Sequence, residues 1–411
     1  MGLYTVRNYL QFLTSSWALL AFGFASIFWG NFGQSFFISW YGASIQDSLD
    51  LSAGRYGGIY AAATLSSGLL IMIFGGMIDR WPLRRFVTWA ALGLALACLA
   101  MAVAVNPLSL FVGFFLVRLC GQGLLPHTAQ TTMARFFDAH RGKALSISAS
   151  GVPLGEALLP AVAVMLIAWL GWRASWVVVS LSVLVLYLPL AFWLLRRAHT
   201  DTSAAPLSLS AELIKHSAGR REMLMDYRFW LALPTALAGP FMITAVFIHQ
   251  GFILDEKGWS AAWLATCFIA LAITHWVSSL ASGLMVDLFS ARRLLPFTLV
   301  PLLTALACLT WVHGAWSALP FMMLLGMSIG LSSPVLGALW AEVYGTAKLG
   351  SIRSLMSSLM ILSTAASPLL FGVLIDRGVS LAGLFGGAAL GLVAALIMVL
   401  FSYRAEPRQG V

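Results

Sequence analysis

Charge is what this sequence has least of. Only 9% of its 411 residues are Asp, Glu, Lys or Arg, against roughly a quarter in an average soluble domain, and that scarcity excludes a water-soluble globule. Cysteine is scarce as well. Cys98, Cys120, Cys267 and Cys308 all lie inside apolar runs with no pair at metal-ligand spacing, so they read as buried free thiols, not as a disulfide framework or a zinc site. Asn8, Asn31 and Asn106 are the only asparagines, and none opens an Asn-x-Ser/Thr acceptor, which leaves no sign of a glycosylated loop. The sequence has no Ser/His/Asp order, no metal-ligand cluster and no phosphate-binding glycine loop. An enzyme is therefore not expected, and neither is a cofactor or a metal. The net charge of +9 does not point to nucleic acid, because a chain that crosses a bilayer many times gathers its positive charge in cytoplasmic loops.

Apolar sequence is what the chain has in abundance, 60%, in unbroken runs of the ~20 residues that a bilayer crossing needs. Six runs occupy 17–45, 56–78, 86–105, 108–133, 144–170 and 174–195, and six more occupy 229–254, 259–286, 294–312, 316–341, 354–375 and 379–403. Each is predicted helical, since the runs lack the period-2 alternation of barrel strands. The first follows Arg7 and shows no small-residue cleavage site after a short core, so it reads as a retained span and not a signal peptide. With the N-terminus in the cytoplasm, Arg55, Arg173, Lys257 and Arg377 fall on outer loops and Arg118 within a span, while the other 19 of the 24 Lys and Arg fall on cytoplasmic segments. That asymmetry places both termini inside, as in a bacterial inner-membrane protein. Trp172, Trp176, Trp259, Trp311 and Trp316 lie near outer ends and are expected to anchor at the interface.

The polar stretch 196–226 reads as a cytoplasmic linker between two six-helix bundles, 1–195 and 227–411. The halves are related to each other. Leu51-Ser52-Ala53 and Trp259-Ser260-Ala261 open equivalent spans, and the halves align without a gap from there to Arg84-Arg85 and Arg292-Arg293 at an offset of 208. Gly75 and Asp79 then face Gly283 and Asp287, and Pro126 and Pro160 match Pro334 and Pro368. The expected fold class is an all-α membrane protein with twelve transmembrane helices in two pseudo-symmetric bundles. A parallel repeat of this kind is a transporter signature.

The segment Gly75-Gly76-Met77-Ile78-Asp79-Arg80-Trp81-Pro82-Leu83-Arg84-Arg85 resembles the loop signature of the major facilitator superfamily, with a degenerate copy from Gly283 to Arg293. Span count, internal termini and central loop extend the resemblance over the whole chain. It implies alternating access and a cytoplasmic gate: Asp79, Arg80, Arg84 and Arg85 in the first half, Asp287 and Arg292 in the second. Pro82 stands where the family pattern has Gly. Within the superfamily, Ala134-Arg135-Phe136-Phe137, Arg141-Gly142-Lys143-Ala144, Ser150-Gly151-Val152-Pro153-Leu154-Gly155 and Gly171-Trp172-Arg173 resemble the monocarboxylate and oxalate:formate porters. This branch implies a small organic anion as substrate. The eighth span lacks the mid-membrane Asp and Arg of those porters, and the fifth lacks the glycine pattern of antiporters, which favours symport.

Arg118, His127, Glu156, His249 and His275 lie well inside spans, where a charge costs at least ~2.5 kcal/mol, so each is a candidate for function. Arg118 and Glu156 come to similar depth on adjacent spans. In one reading Arg118 receives a substrate carboxylate and Glu156 a proton, because desolvation favours a neutral carboxyl and a nearby arginine a charged one. In the other they form a permanent bridge between two helices. Gln122, one turn after Arg118, shares its face. His275 is the only ionisable group of the eighth span and suits proton coupling or anion recognition, or is a satisfied core histidine. His127, on the far side of an ideal helix from Arg118, reads as a packing residue. His249, near the outer end of the seventh span, reads as interfacial or as part of an outer gate. Polar amides at membrane depth such as Asn31 and Gln34 on the first span are either helix glue or cavity lining, and because the first, fourth, seventh and tenth helices line the cavity in the resembled family, at least one of the two is expected to line it and contact substrate. On the tenth, Ser328, Ser332 and Ser333 before Pro334 suggest a bendable gating helix, with packing by Gly326 and Gly330 as the competing account, and Ser332 is expected among the substrate contacts.

The expectation is therefore a monomeric secondary transporter that, as the resemblance implies, moves a small organic anion, with proton coupling expected from Glu156 or His275. An exporter of amphipathic compounds, or less favourably a transporter-like sensor, are the competing readings. Orientation is directly testable. In a cysteine-free background, Lys257→Cys should react with a membrane-impermeant maleimide on intact cells and Lys143→Cys only after permeabilisation; the opposite pattern reverses the topology.

Overall fold

The computed structural model describes residues 2–74, 77–78, 80–137, 140–198, 220–345 and 349–403. Asp79 of the expected gate and most of the expected linker, 199–219, lie outside the described residues. Every regular element among the described residues is helical. Ten segments are long and apolar enough to cross a membrane. One of them, Gly142–Arg197, runs for 56 residues and is two spans, because Gly171 at φ 77° and ψ 162° breaks it. Ala53–Phe74 supplies a further helix of 22 residues, about 33 Å at 1.5 Å per residue. The twelve spans read from the sequence are thereby all accounted for. Leu69, Trp169, Leu284 and Leu390 are large apolar side chains left exposed, as a lipid-facing surface requires and a water-facing one would not tolerate.

Packing divides the chain into two compact units, residues 1–50 with 62–206, and residues 51–61 with 207–411. In the first unit, span 1 (Gly2–Gly30) packs against the helices that follow Pro107, Gly142 and Leu188. Ser26 on span 1 hydrogen-bonds Tyr187 at 2.9 Å. In the second unit, span 8 (Ala261–Phe289) and span 10 (Ala318–Tyr344) form the most extensive helix pair. The opening turns of Ala53–Phe74 also belong to this unit. Gly54 and Gly57 there lie against Gly372 and Pro368 on span 11 (Leu349–Asp376), so closely that a Cβ on Gly57 would collide with the Pro368 carbonyl. Asp376 then accepts from Ser52 Oγ at 2.7 Å and from the Gly54 N–H at 2.9 Å. A carboxylate at a helix start is favourable by charge and by geometry.

The repeat is visible in how the two units close equivalent helix ends. Ala104 and Val312 stand 208 apart, at the C-terminal ends of spans 3 and 9, where carbonyls have no partner in their own helix. Arg173 Nη2 donates to Ala104 O and Lys257 Nζ to Val312 O, both at 2.9 Å. The same orphan group is met by cations from different loops, in accord with the negative end of a helix dipole. Burial in this contact lowers the pKa of the Lys257 ammonium. The tryptophans divide: Trp311 and Trp316 are exposed, whereas Trp172, Trp176 and Trp259 are buried. The expected interfacial role of those three is corrected, and Trp259 instead donates from Nε1 to Gly314 O at 3.3 Å.

At the opposite end of the second unit, Tyr344 Oη donates to Asp226 Oδ2 at 3.1 Å and hydrogen-bonds Tyr403 Oη at 2.7 Å. One hydroxyl thus ties the start of span 7 (Tyr227–Ile248) to the ends of span 10 and of Leu381–Leu400. Tyr344→Phe leaves both partners short of a hydrogen bond and should cost about 1–3 kcal/mol. A chemical denaturation midpoint unchanged from wild type would remove the clasp from the stability account.

Candidate functional site

Span 1 does not run through as one helix. It passes into a 3-10 turn over Asn31–Gly33, Gln34 is extended at φ −80° and ψ 150°, and helix resumes at Ser35–Ile38. Glycines flank the break, and each weakens a helix interior by about 1 kcal/mol relative to alanine. Their second use is close approach. A Cβ on Gly33 would collide with the Gln122 amide nitrogen, and one on Gly30 would stand 2.9 Å from Gly121 O. Span 4 answers with a distortion of its own: α-helix over Pro107–Val117, π-helix over Arg118–Leu124, then α-helix over Leu125–Phe136. Pro126 has no N–H to return to the Gln122 carbonyl, and the turn before it widens to i→i+5 bonding. The projection of His127 away from Arg118 assumes an ideal helix, and the wide turn Arg118–Leu124 lies between the two; His127 is half-buried.

Arg118 and Glu156 are both buried in the first unit, with 4% and 3% of their surface exposed. Arg118 Nη1 donates to Gly33 O at 3.4 Å. Asn31, expected as a lining residue, is 1% exposed, and its Nδ2 donates to Gly151 O on span 5 at 2.8 Å. Its Oδ1 carries no hydrogen bond. A Cβ on Gly155, the neighbour of Glu156, would collide with the same amide. Arg118 and Asn31 are therefore gathered at the break in span 1, the residue next to Glu156 packs on Asn31, and Gln34 and Gln122 are half-buried. The sequence reading missed the part played by Gly151 and Gly155. The signal was present, since small residues four apart are how membrane helices approach closely.

In the second unit, Gly326 and Gly330 pack span 10 onto the carbonyls of Leu271 and His275. The packing account of that glycine pair is thus the one observed. His275 is half-buried. Ser332 Oγ donates to Ser328 O at 2.7 Å, so its hydroxyl proton is spent on its own helix. His249 is buried, not interfacial, and its Nε2 lies 2.9 Å from Pro368 O. Among the expected gate residues, Arg80, Arg84, Arg85 and Asp287 are exposed, and Arg85 lies over the Trp81 ring at 4.7 Å. Arg292 binds span 10: its N–H and that of Ala291 donate to the Glu342 carboxylate at 3.3 and 2.8 Å, and its guanidinium donates to Glu342 O at 2.6 Å. No group of three or more His, Cys, Asp or Glu among the described residues could hold a metal.

An all-helical chain of twelve spans in two repeated halves is the architecture of a transporter, and comparison with known proteins agrees. The profile of the Major Facilitator Superfamily matches residues 18–274, and the chain belongs to that family. It is 23% identical over 385 residues to a hexuronate transporter of Bacillus subtilis (strain 168), covering 87% of this chain and 88% of that protein. It is 22% identical over 314 residues to the MFS-type transporter YcxA of the same organism, covering 70% and 71%. Among solved structures, a bacterial homolog of the human lysosomal transporter Spinster, in an inward-facing and occupied conformation, superposes with a TM-score of 0.67 at 16% identity, covering 94% of this chain and 95% of that one.

The tight pairing of spans 8 and 10 predicts unequal tolerance along one helix. Gly330→Ala should destabilise the protein by about 1–3 kcal/mol through overpacking. Gly337→Ala, with open space around it, should be neutral or stabilising by up to about 1 kcal/mol. Equal thermal shifts for the two would refute the assignment.

Proposed function

We propose that this transporter moves a small organic anion of the sugar-acid type together with a proton, with Arg118 as the carboxylate's anchor and Glu156 as the proton's. The observation that carries the reading is the burial of both side chains at membrane depth in one unit. Two charges taken out of water cost several kcal/mol each unless paired or neutralised, an expense that a purely structural helix contact can avoid with apolar residues. The similarity to a hexuronate transporter supports the substrate class, since a hexuronate presents one carboxylate, the group that a guanidinium recognises in bidentate fashion. Residence in a bacterial inner membrane, both termini inside and a monomeric state belong to the same reading.

One observation favours the competing reading of an amphipathic-compound exporter. The second unit holds an open cavity of about 440 Å³, lined by Pro234, Phe241, Leu362 and Leu392 among others, with Ser363 as its one hydroxyl. That hydroxyl already donates to Leu237 O at 3.2 Å, which leaves an apolar lining.

Uptake of a labelled hexuronate into proteoliposomes under an imposed pH gradient separates the two. Arg118→Ala should lower uptake by about 100-fold, equivalent to the ~3 kcal/mol of a charge-assisted hydrogen bond. Glu156→Gln should retain exchange and lose proton-driven accumulation. Wild-type affinity in Arg118→Ala would eliminate the anion-anchor role, and tight binding of lipophilic cations without carboxylate binding would favour the exporter.

A further inference from the structure

We infer that the break in span 1 is the spacer that sets where Arg118 stands relative to Glu156, and that Asn31 is its positioning residue. This rests on the transport reading of those two side chains. The break touches both neighbouring spans, span 4 backbone to backbone and span 5 through the Asn31 side chain. Toward span 5, Asn31 Nδ2 donates to Gly151 O at 2.8 Å, and its amide occupies the space a Gly155 side chain would need. Toward span 4, Gly33 O accepts from Arg118 at 3.4 Å, and Gly33 and Gly30 lie against the backbone of Gln122 and Gly121. The glycine contacts with span 4 have no long side chain to absorb a displacement. A shift of Asn31–Gly33 is therefore passed to the guanidinium on one side and to the residue next to Glu156 on the other. Asn31 is the only side chain of the three that bonds across to span 5, so the spacing on that side depends on its amide.

Span 1 offers a control on the same interface. A Cβ on Gly23 would collide with Ser148 Oγ, at the start of span 5 and about two turns from the break. The experiment reads KM for a hexuronate and the midpoint of the uptake–pH profile in proteoliposomes, alongside the yield of folded protein. Gly155→Ala and Asn31→Ala are each expected to raise KM about tenfold and to displace the pH midpoint. Their combination is expected to be less damaging than the sum, because alanine at 31 vacates the space that alanine at 155 fills. Gly23→Ala should lower stability and leave KM and pH midpoint in place. If Gly155→Ala fails to fold, Asn31→Ala, which adds no volume and removes one hydrogen bond, gives the same readout. Arg118→Lys and Glu156→Gln are measured in parallel. If those two move KM or the midpoint while the Asn31 and Gly155 variants do not, the spacer role is overturned and the transport reading stands. If those two change neither, the transport reading fails and the spacer role falls with it.

Discussion

Hydrocarbon does not hydrogen-bond, and the rest of this structure depends on that fact. In a bilayer every backbone N–H and C=O must find a partner within the protein, so a span can leave the helical path only where other spans surround it. The turn at Asn31–Gly33 and the extended Gln34 meet that condition because Gly30 and Gly33 bring span 1 into backbone contact with span 4, while on span 5 Gly151 lies against the backbone of span 1 and Gly155 against the Asn31 side chain. The π-helical turn of span 4 sits at the same level. Two irregular segments facing one another are each costly alone. Packed together they share partners, and the place where they meet also holds the buried Arg118. Irregular backbone, small residues and buried charge thus coincide for one reason. A charged group needs dipoles around it, and a broken helix supplies free carbonyls such as that of Gly33.

The fold was legible in the sequence because its determinants are one-dimensional. Run length counts spans, Lys and Arg mark loops, and the offset of 208 reports the repeat. Helix interiors were less legible. The run at 17–45 looks continuous by hydropathy, and only the spacing of Gly30 and Gly33 hinted at a break. The depths of Arg118 and Glu156 come from residue counting, and both side chains are buried. The fate of Asn31 did not follow from counting. Whether an amide lines a cavity or is spent on a neighbouring carbonyl is decided by which helix lies across from it, and a sequence does not carry that information for contacts 120 residues apart. The tryptophans fail for a similar reason. Position near a span end is shared by Trp311 and Trp259, but only one of them has Gly314 within reach of its indole N–H.

The internal repeat gives a sharper way to separate structure from function within a single chain. Where both halves keep the same device, the device serves the fold: Ala104 and Val312 each present an orphan carbonyl and each receives a cation. Where the halves part company, the fold has no need of the residue. At the offset of 208, Arg118 corresponds to Gly326, Gln122 to Gly330 and Glu156 to Thr364. The second half packs its tenth span tightly onto the eighth with the glycine pair that replaces Arg118 and Gln122, so a six-helix unit of this kind closes without a charge at that level. The first half retains two buried charges that its own repeat does without. A structural bridge would have been equally useful to both halves, and the restriction of these residues to one half is an argument, from within the molecule, for the functional roles proposed for Arg118 and Glu156.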